Sequence, residues 1–108
     1  MTVVNLTLHN IVVETADGRT EFAPSGQVAR VASVPSHVGT VAGIPVNRPI
    51  FGPVVGLPEP QPDVTFIVSS QVAIRVPERA DVVAPDTGPT AIRNEKGQVV
   101  GVRGFQRF

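Results

Sequence analysis

Asp63–Pro89, DVTFIVSSQVAIRVPERADVVAPDTGP, decides how the rest of the chain is read. Its apolar run Val64–Val68 is the best candidate in the sequence for a central strand. Two serines follow, then Ser69–Val76, the one segment able to hold a short helix. Ser69 suits the N-cap, where a hydroxyl accepts a backbone N–H of the first turn. Val72, Ile74 and Val76 also alternate with period two, so continuation as a strand competes with the helix. Pro77 closes the segment in either case. A polar loop carrying Arg79, Asp81, Asp86 and Thr87 comes next. Strand, helix and loop in immediate succession bring hydroxyls and charged side chains close to core.

Outward from this stretch the chain reads as short strands and tight turns. Val3–Leu8 and Ile11–Thr15 are the first two strands. Ala16-Asp17-Gly18-Arg19 is a turn, because Asp-Gly supplies the backbone angles a tight hairpin needs, and Thr20–Phe22 returns. After Pro24-Ser25-Gly26, Gln27–Val34 is a partly buried strand. His37–Val41 and Ile44–Val46 flank a turn at Ala42-Gly43, and the proline-containing Pro49–Gly56 is an edge strand or extended segment. Leu57-Pro-Glu-Pro-Gln-Pro is a polyproline-like connector. Val82–Ala84 is a short strand, and Ala91–Arg93 with Gln98–Arg103 forms a terminal hairpin through Asn94–Gly97.

Composition agrees. Valine dominates, while eleven prolines and ten glycines keep every run short; β-branched residues favour a pleated surface and Pro and Gly punctuate it. The expected fold is mainly β. It is a single compact domain over residues 1–108, a small barrel or sandwich of short antiparallel strands with at most one short helix.

The nine basic and nine acidic residues cancel, which argues against a broad electrostatic grip on nucleic acid or an anionic membrane. With no cysteine, disulfides and thiolate metal sites are ruled out. MTVVNLTLHN lacks the basic start and apolar run of a signal peptide. No segment approaches the roughly 20 apolar residues of a membrane helix. A soluble, cytoplasmic protein is expected.

Asn5, Thr7 and His9 share one face if Val3–His9 is extended; such a polar row lines a pocket or simply faces solvent. His9 and His37 are the only histidines, and no third ligand stands at a recognisable spacing, so no metal or other cofactor is expected. Ser69 and Ser70 make either an anion site or a plain N-cap. Arg79 and Asp81 suit an ion pair, and Asp86 with Thr87 an Asx-type turn before Gly88-Pro89. The functional alternative is that Arg79 or Arg93 meets a phosphate while Asp86 and Thr87 bond sugar hydroxyls, since loops on a rigid scaffold carry sites. No Gly-rich phosphate loop and no Gly-x-Ser-x-Gly elbow is present. No catalytic residues are assigned, and the protein is not expected to be an enzyme.

Several stretches together resemble a family of small proteins encoded by bacteriophages and prophages. They are Asn5-Leu6-Thr7-x-His9, Pro24-Ser25-Gly26-Gln27-Val28-Ala29-Arg30-Val31, Gly43-Ile44-Pro45-Val46, Gly56–Pro60, Ile67-Val68-Ser69, Val83-Ala84-Pro85-Asp86-Thr87 and Gly101-Val102-x-Gly104-Phe105. The family carries proline where this chain has Leu8, so no role of that turn is transferred. The resemblance implies a host-cytoplasmic counter-defence protein that sequesters a nucleotide-type signal. The alternative it leaves open is a structural or protein-interaction accessory of the phage particle. Self-association is also expected, through a C-terminal arm at Gly104–Phe108 whose two phenylalanines otherwise fold back on their own core.

Overall fold

The computed structural model describes all residues, Met1–Phe108. Strands hold 51% of them and helix 6%, so the chain is mainly β. Its centre is a four-stranded sheet in the order β1 (Thr2–Asn5), β6 (Val64–Ile67), β7 (Val82–Pro85) and β10 (Phe105–Gln106). Short antiparallel pairs are present as expected, but this central sheet is mixed. The pairs β1–β6 and β6–β7 are parallel, and only β10 runs antiparallel to its neighbour. No barrel closes. The antiparallel pairs are three separate two-stranded units: β2 (Ile11–Thr15) with β3 (Gly18–Phe22), β4 (Arg30–Val41) with β5 (Ile44–Val55), and β8 (Ile92–Arg93) with β9 (Val99–Gly101).

The central place of β6 follows from its sequence. A strand with neighbours on both sides and both faces covered is apolar at every position. Val64–Val68 comes close, apolar at every position but Thr65, and Phe66, Ile67 and Val68 are all buried. Two parallel strands need a crossover, which α1 (Ser70–Arg75) supplies between β6 and β7. Ser69 caps α1 as expected, its Oγ accepting Val72 N–H at 3.4 Å. α1 ends at Val76, before Pro77, which cannot continue a helix ladder.

α1 sets Val72 and Ala73 against Phe66, Val68, Val82, Ala84, Leu6 and Ala29, the main core cluster. Alternation along the strands sends Ile67 and Val83 to the opposite face, and both are buried. Only 14 residues are buried in all, so each buried aliphatic carries a large share of the stability. A core Val or Leu contributes about 1.5–3 kcal/mol by leaving water.

β4 and β5 extend well beyond this body. The expected strands Gln27–Val34, His37–Val41, Ile44–Val46 and Pro49–Gly56 merge into one hairpin of two twelve-residue strands. Its turn is Ala42-Gly43, both at positive φ (51° and 80°), as a two-residue hairpin turn matching strand twist requires. Only its base joins the core, through Val31 and Val54. The radius of gyration is 16.4 Å, against about 13 Å for a compact chain of this length. The arm accounts for that excess.

The C-terminus does not project. Phe105 pairs with Pro85 in the sheet, and its ring lies 6.1 Å from that of Phe22. The expected C-terminal arm is therefore folded back, and the projecting arm is β4–β5.

Candidate functional site

In an open sheet with parallel strands, loops at the carboxyl ends gather on one edge, where such folds place ligands. Asn5, Ile67 and Val83 lie in one row across β1, β6 and β7. The segments just beyond them are Leu6–Asn10, Val68–Gln71 and Ala84–Thr87. Seven of the residues singled out in the sequence fall on this edge: Asn5, Thr7, His9, Ser69, Ser70, Asp86 and Thr87. Arg79 and Arg93 do not.

Asn5 is the pivot of the edge, and it faces protein. It is 2% exposed, the one polar side chain in the core. Its amide Nδ2 donates to the carbonyls of His9 (2.8 Å) and Phe22 (2.9 Å). Its Oδ1 accepts from Thr7 N–H (2.9 Å) and from the Thr7 hydroxyl (2.7 Å). All four hydrogen-bonding positions of the side chain are thus filled. The polar row expected on an extended Val3–His9 is absent for this reason: β1 ends at Asn5, and the amide folds Leu6–His9 into a compact turn.

That turn receives the start of β4. Leu6 N–H donates to Ile67 O at 2.8 Å, and Ala29 N–H donates to Leu6 O at 3.0 Å. The docking opens a cleft of about 320 Å³ lined by Leu6–His9, Val28–Val31, Ser69, Gln71 and Val72. Thr7, His9 and Ser69 of the expected site meet there. Ser69 is occupied as the helix cap, and the Thr7 hydroxyl is held by Asn5. The Arg30 guanidinium, the His9 ring and the Gln71 amide make no hydrogen bond within the chain. No carboxylate lines the cleft, so its polar groups are cationic or neutral and its walls are aliphatic.

A second cleft, about 210 Å³, lies on the other side of His9. Asn10–Val12, Pro85, Thr87 and Val99–Val102 line it. Thr87 and His9 meet in it. Asp86 turns inward instead, accepting Gly88 N–H at 3.1 Å in the Asx-type geometry expected of it. Ser70 opens α1 and lines neither cleft.

Arg79 lies before β7, toward the amino end of that strand, and Asp86 lies beyond its carboxyl end. Asp81 and Asp86 are five residues apart, about 16 Å at strand rise. The Arg79 guanidinium donates to Asp81 through Nε (2.8 Å) and Nη2 (2.9 Å) and to Pro58 O (2.9 Å). Their side chains are 18% and 19% exposed. Hydrogen bonding by Arg79 holds the Asp81 carboxyl below its usual range despite opposing desolvation, and the same bond raises Arg79. This fork pins the polyproline connector to the start of β7. Arg93 is likewise local, donating to Gly97 O at 2.7 Å inside the β8–β9 turn.

Arg30 and Gln71 are the polar cleft residues that the sequence did not point to. Arg30 follows two small apolar residues at the start of a strand, a position that looks like an ordinary solvent-facing charge. Only the non-local Ala29–Leu6 hydrogen bond sets it at the carboxyl edge. Comparison with protein families, curated proteins and solved structures finds no match for this chain.

Proposed function

We propose that this is a phage-encoded binding protein whose Arg30 cleft sequesters a small anionic ligand of nucleotide type without turning it over. The observation that carries the reading is the lining of the cleft. One unpaired guanidinium, an imidazole and a free amide stand among aliphatic walls, with no carboxylate to oppose an anion. Arginine meets phosphate by paired charge-assisted hydrogen bonds. Leu8, Val28 and Val31 offer a surface for a base or sugar, and Gln71 a donor and acceptor for its polar edge. The volume is near the lower end of small-molecule sites, about 300–1,000 Å³, which suits a mononucleotide-sized portion of a ligand. Host cytoplasm is the matching location.

A thermal-shift screen of mono-, cyclic and linear dinucleotides tests this, beside mass spectrometry of small molecules co-purifying from infected cells. A nucleotide at 100 times its dissociation constant stabilises the fold by about 2.7 kcal/mol, and it is recovered chemically intact. Arg30→Ala abolishes the shift. Arg79→Ala lowers the melting temperature and leaves the shift in place. Absence of any shift across the screen refutes the reading.

A second reading, a structural or protein-interaction accessory of the phage particle, is favoured by the projecting β4–β5 arm. Recovery of the protein in purified virions, with no nucleotide shift, selects it.

A further inference from the structure

The two clefts of the carboxyl edge share a wall. His9 lines both, and its ring is free of hydrogen bonds within the chain. What lies on either side of it differs. The first cleft holds the Arg30 guanidinium. The second is lined by no Arg, Lys, Asp or Glu, and its floor is aliphatic. Val102 is buried there, Ile11 and Val12 are half-buried, and Val99 and Val100 form an exposed rim.

We propose, resting on the nucleotide reading above, that the two clefts are halves of one site and that its ligand is a linear dinucleotide. A phosphate-bearing nucleotide occupies the Arg30 cleft and an uncharged nucleoside occupies the second. The phosphodiester between them crosses the His9 ring.

Size points to a shared ligand. The Arg30 cleft, at about 320 Å³, is at the lower end of the range of small-molecule sites, and the second, at about 210 Å³, falls below it. Neither is roomy alone, and joined through His9 they fall within the range. Charge then orients the ligand. A terminal phosphate goes to the guanidinium. In the second cleft it would meet no cation, and two carboxylates flank that cleft. Asp86 stands between the lining residues Pro85 and Thr87, and Glu21 accepts from Asn10 Nδ2 at 3.0 Å. The half seated there is therefore uncharged. Aliphatic walls take the face of a base, and the exposed Thr87 hydroxyl, unpaired within the chain, meets a sugar or base edge. The imidazole between the halves offers a donor to a linking phosphate in either of its charge states. A cyclic dinucleotide fits this pattern less well. It puts both phosphates at the boundary between halves, where His9 stands alone, and none at Arg30.

Isothermal titration calorimetry of the full chain tests the proposal. It compares a 5′-mononucleotide, the 5′-phosphorylated linear dinucleotide built from it and the matching cyclic dinucleotide, for each of the common bases. Once the first half is seated the second contact is intramolecular. For the preferred base, the linear dinucleotide is expected to bind at least about tenfold tighter than the mononucleotide, and tighter than the cyclic form. Val100→Glu, at a position 50% exposed, sets a carboxylate against the second half and removes the gain. Thr87→Val reduces it. The melting temperature of the free protein is unchanged in both. Equal affinity for mononucleotide and linear dinucleotide overturns the two-cleft ligand and leaves the Arg30 reading standing. So does a gain untouched by both substitutions, or a cyclic form that binds tighter than the linear one. No binding by any of the three overturns both.

Discussion

The carboxyl edge of the central sheet and the β4–β5 arm spend their hydrogen-bonding and apolar groups in opposite ways. At the sheet edge one buried amide, Asn5, satisfies four groups and fixes a turn, and no buried side-chain polar atom in the protein lacks a partner. On the arm, no residue of either twelve-residue strand is buried, and the aliphatic stripe faces outward. Local satisfaction gives the edge one rigid shape, which a binding cleft needs. The arm keeps its backbone ladder and leaves its aliphatic side chains in water. Polarity alone therefore does not mark a site in this chain: the Asn5 cluster is spent on holding a turn, while the Arg30, His9 and Gln71 side chains beside it make no hydrogen bond within the chain.

Breaking the Asn5 knot gives the largest effect. Asn5→Ala takes its partner from the half-buried Phe22 carbonyl and Thr7 N–H, while the His9 carbonyl keeps the Thr7 hydroxyl at 3.1 Å, a loss of about 2–3 kcal/mol. Asn5→Asp keeps the acceptor for Thr7 but sets carboxylate oxygens against the carbonyls of His9 and Phe22, and it destabilises comparably. Denaturant unfolding measures both. Equal stability of either variant with wild type breaks the contrast between edge and arm.

Gly56 is next. It ends β5 at φ +83°, and a Cβ there would overlap the Val28 carbonyl oxygen. Gly56→Ala is expected to lose about 2 kcal/mol, combining left-handed strain with the backbone clash. Because Val28 lines the cleft, the same variant weakens ligand binding. A small stability change with an intact nucleotide shift separates cleft and arm base further than the structure allows.

The Arg79–Asp81 fork is worth about 1–2 kcal/mol, between exposed pairs and charge-assisted buried hydrogen bonds. Asp81 is lowered in the folded state, so the contribution is complete above its unfolded value of about 3.9. It disappears as pH falls through the lowered folded value. The stability gap between wild type and Asp81→Asn is expected to be constant from about pH 5 to 8 and to close in acid below about pH 4. Urea titrations across that range check the sign.

Shortening the arm gives the smallest change in body stability. Residues 37–47 replaced by Asn-Gly join Ser36 to Arg48, which already face each other in the ladder, through a favoured two-residue turn. The melting temperature is expected to move by no more than a few degrees, and nucleotide binding to persist. Loss of folding would mean that the arm supports the body.

Much of this was legible in the sequence because it is local. Val64–Val68 announced a central strand by being apolar at four of five positions, Ser69 announced a cap, and Ala42-Gly43 and Ala16–Arg19 announced hairpins, the second turning at Ala16-Asp17 with Gly18 already in β3. The parallel order of β1, β6 and β7 was not legible, since strand direction in a sheet depends on the crossover and no four-residue strand encodes its neighbours. The site was half legible for the same reason. Turn-prone polar residues at strand ends, Thr7, His9, Ser69 and Thr87, do collect on one edge. Arg79 looked the part but was claimed by Asp81 two residues away, and Arg30 reaches the cleft only because Ala29 bonds to Leu6 from another part of the chain.

Backbone amide chemical shifts, followed while a screened nucleotide is titrated into the full chain at fixed protein concentration, locate the binding site. Binding at the carboxyl edge moves Leu6–His9, Val28–Val31 and Ser69–Val72 most, and leaves Arg79–Asp81, Arg93–Gln98 and the distal arm at Val34–Ile50 unmoved. Shifts centred on Arg79–Asp81 or on the arm, with the carboxyl edge silent, contradict it.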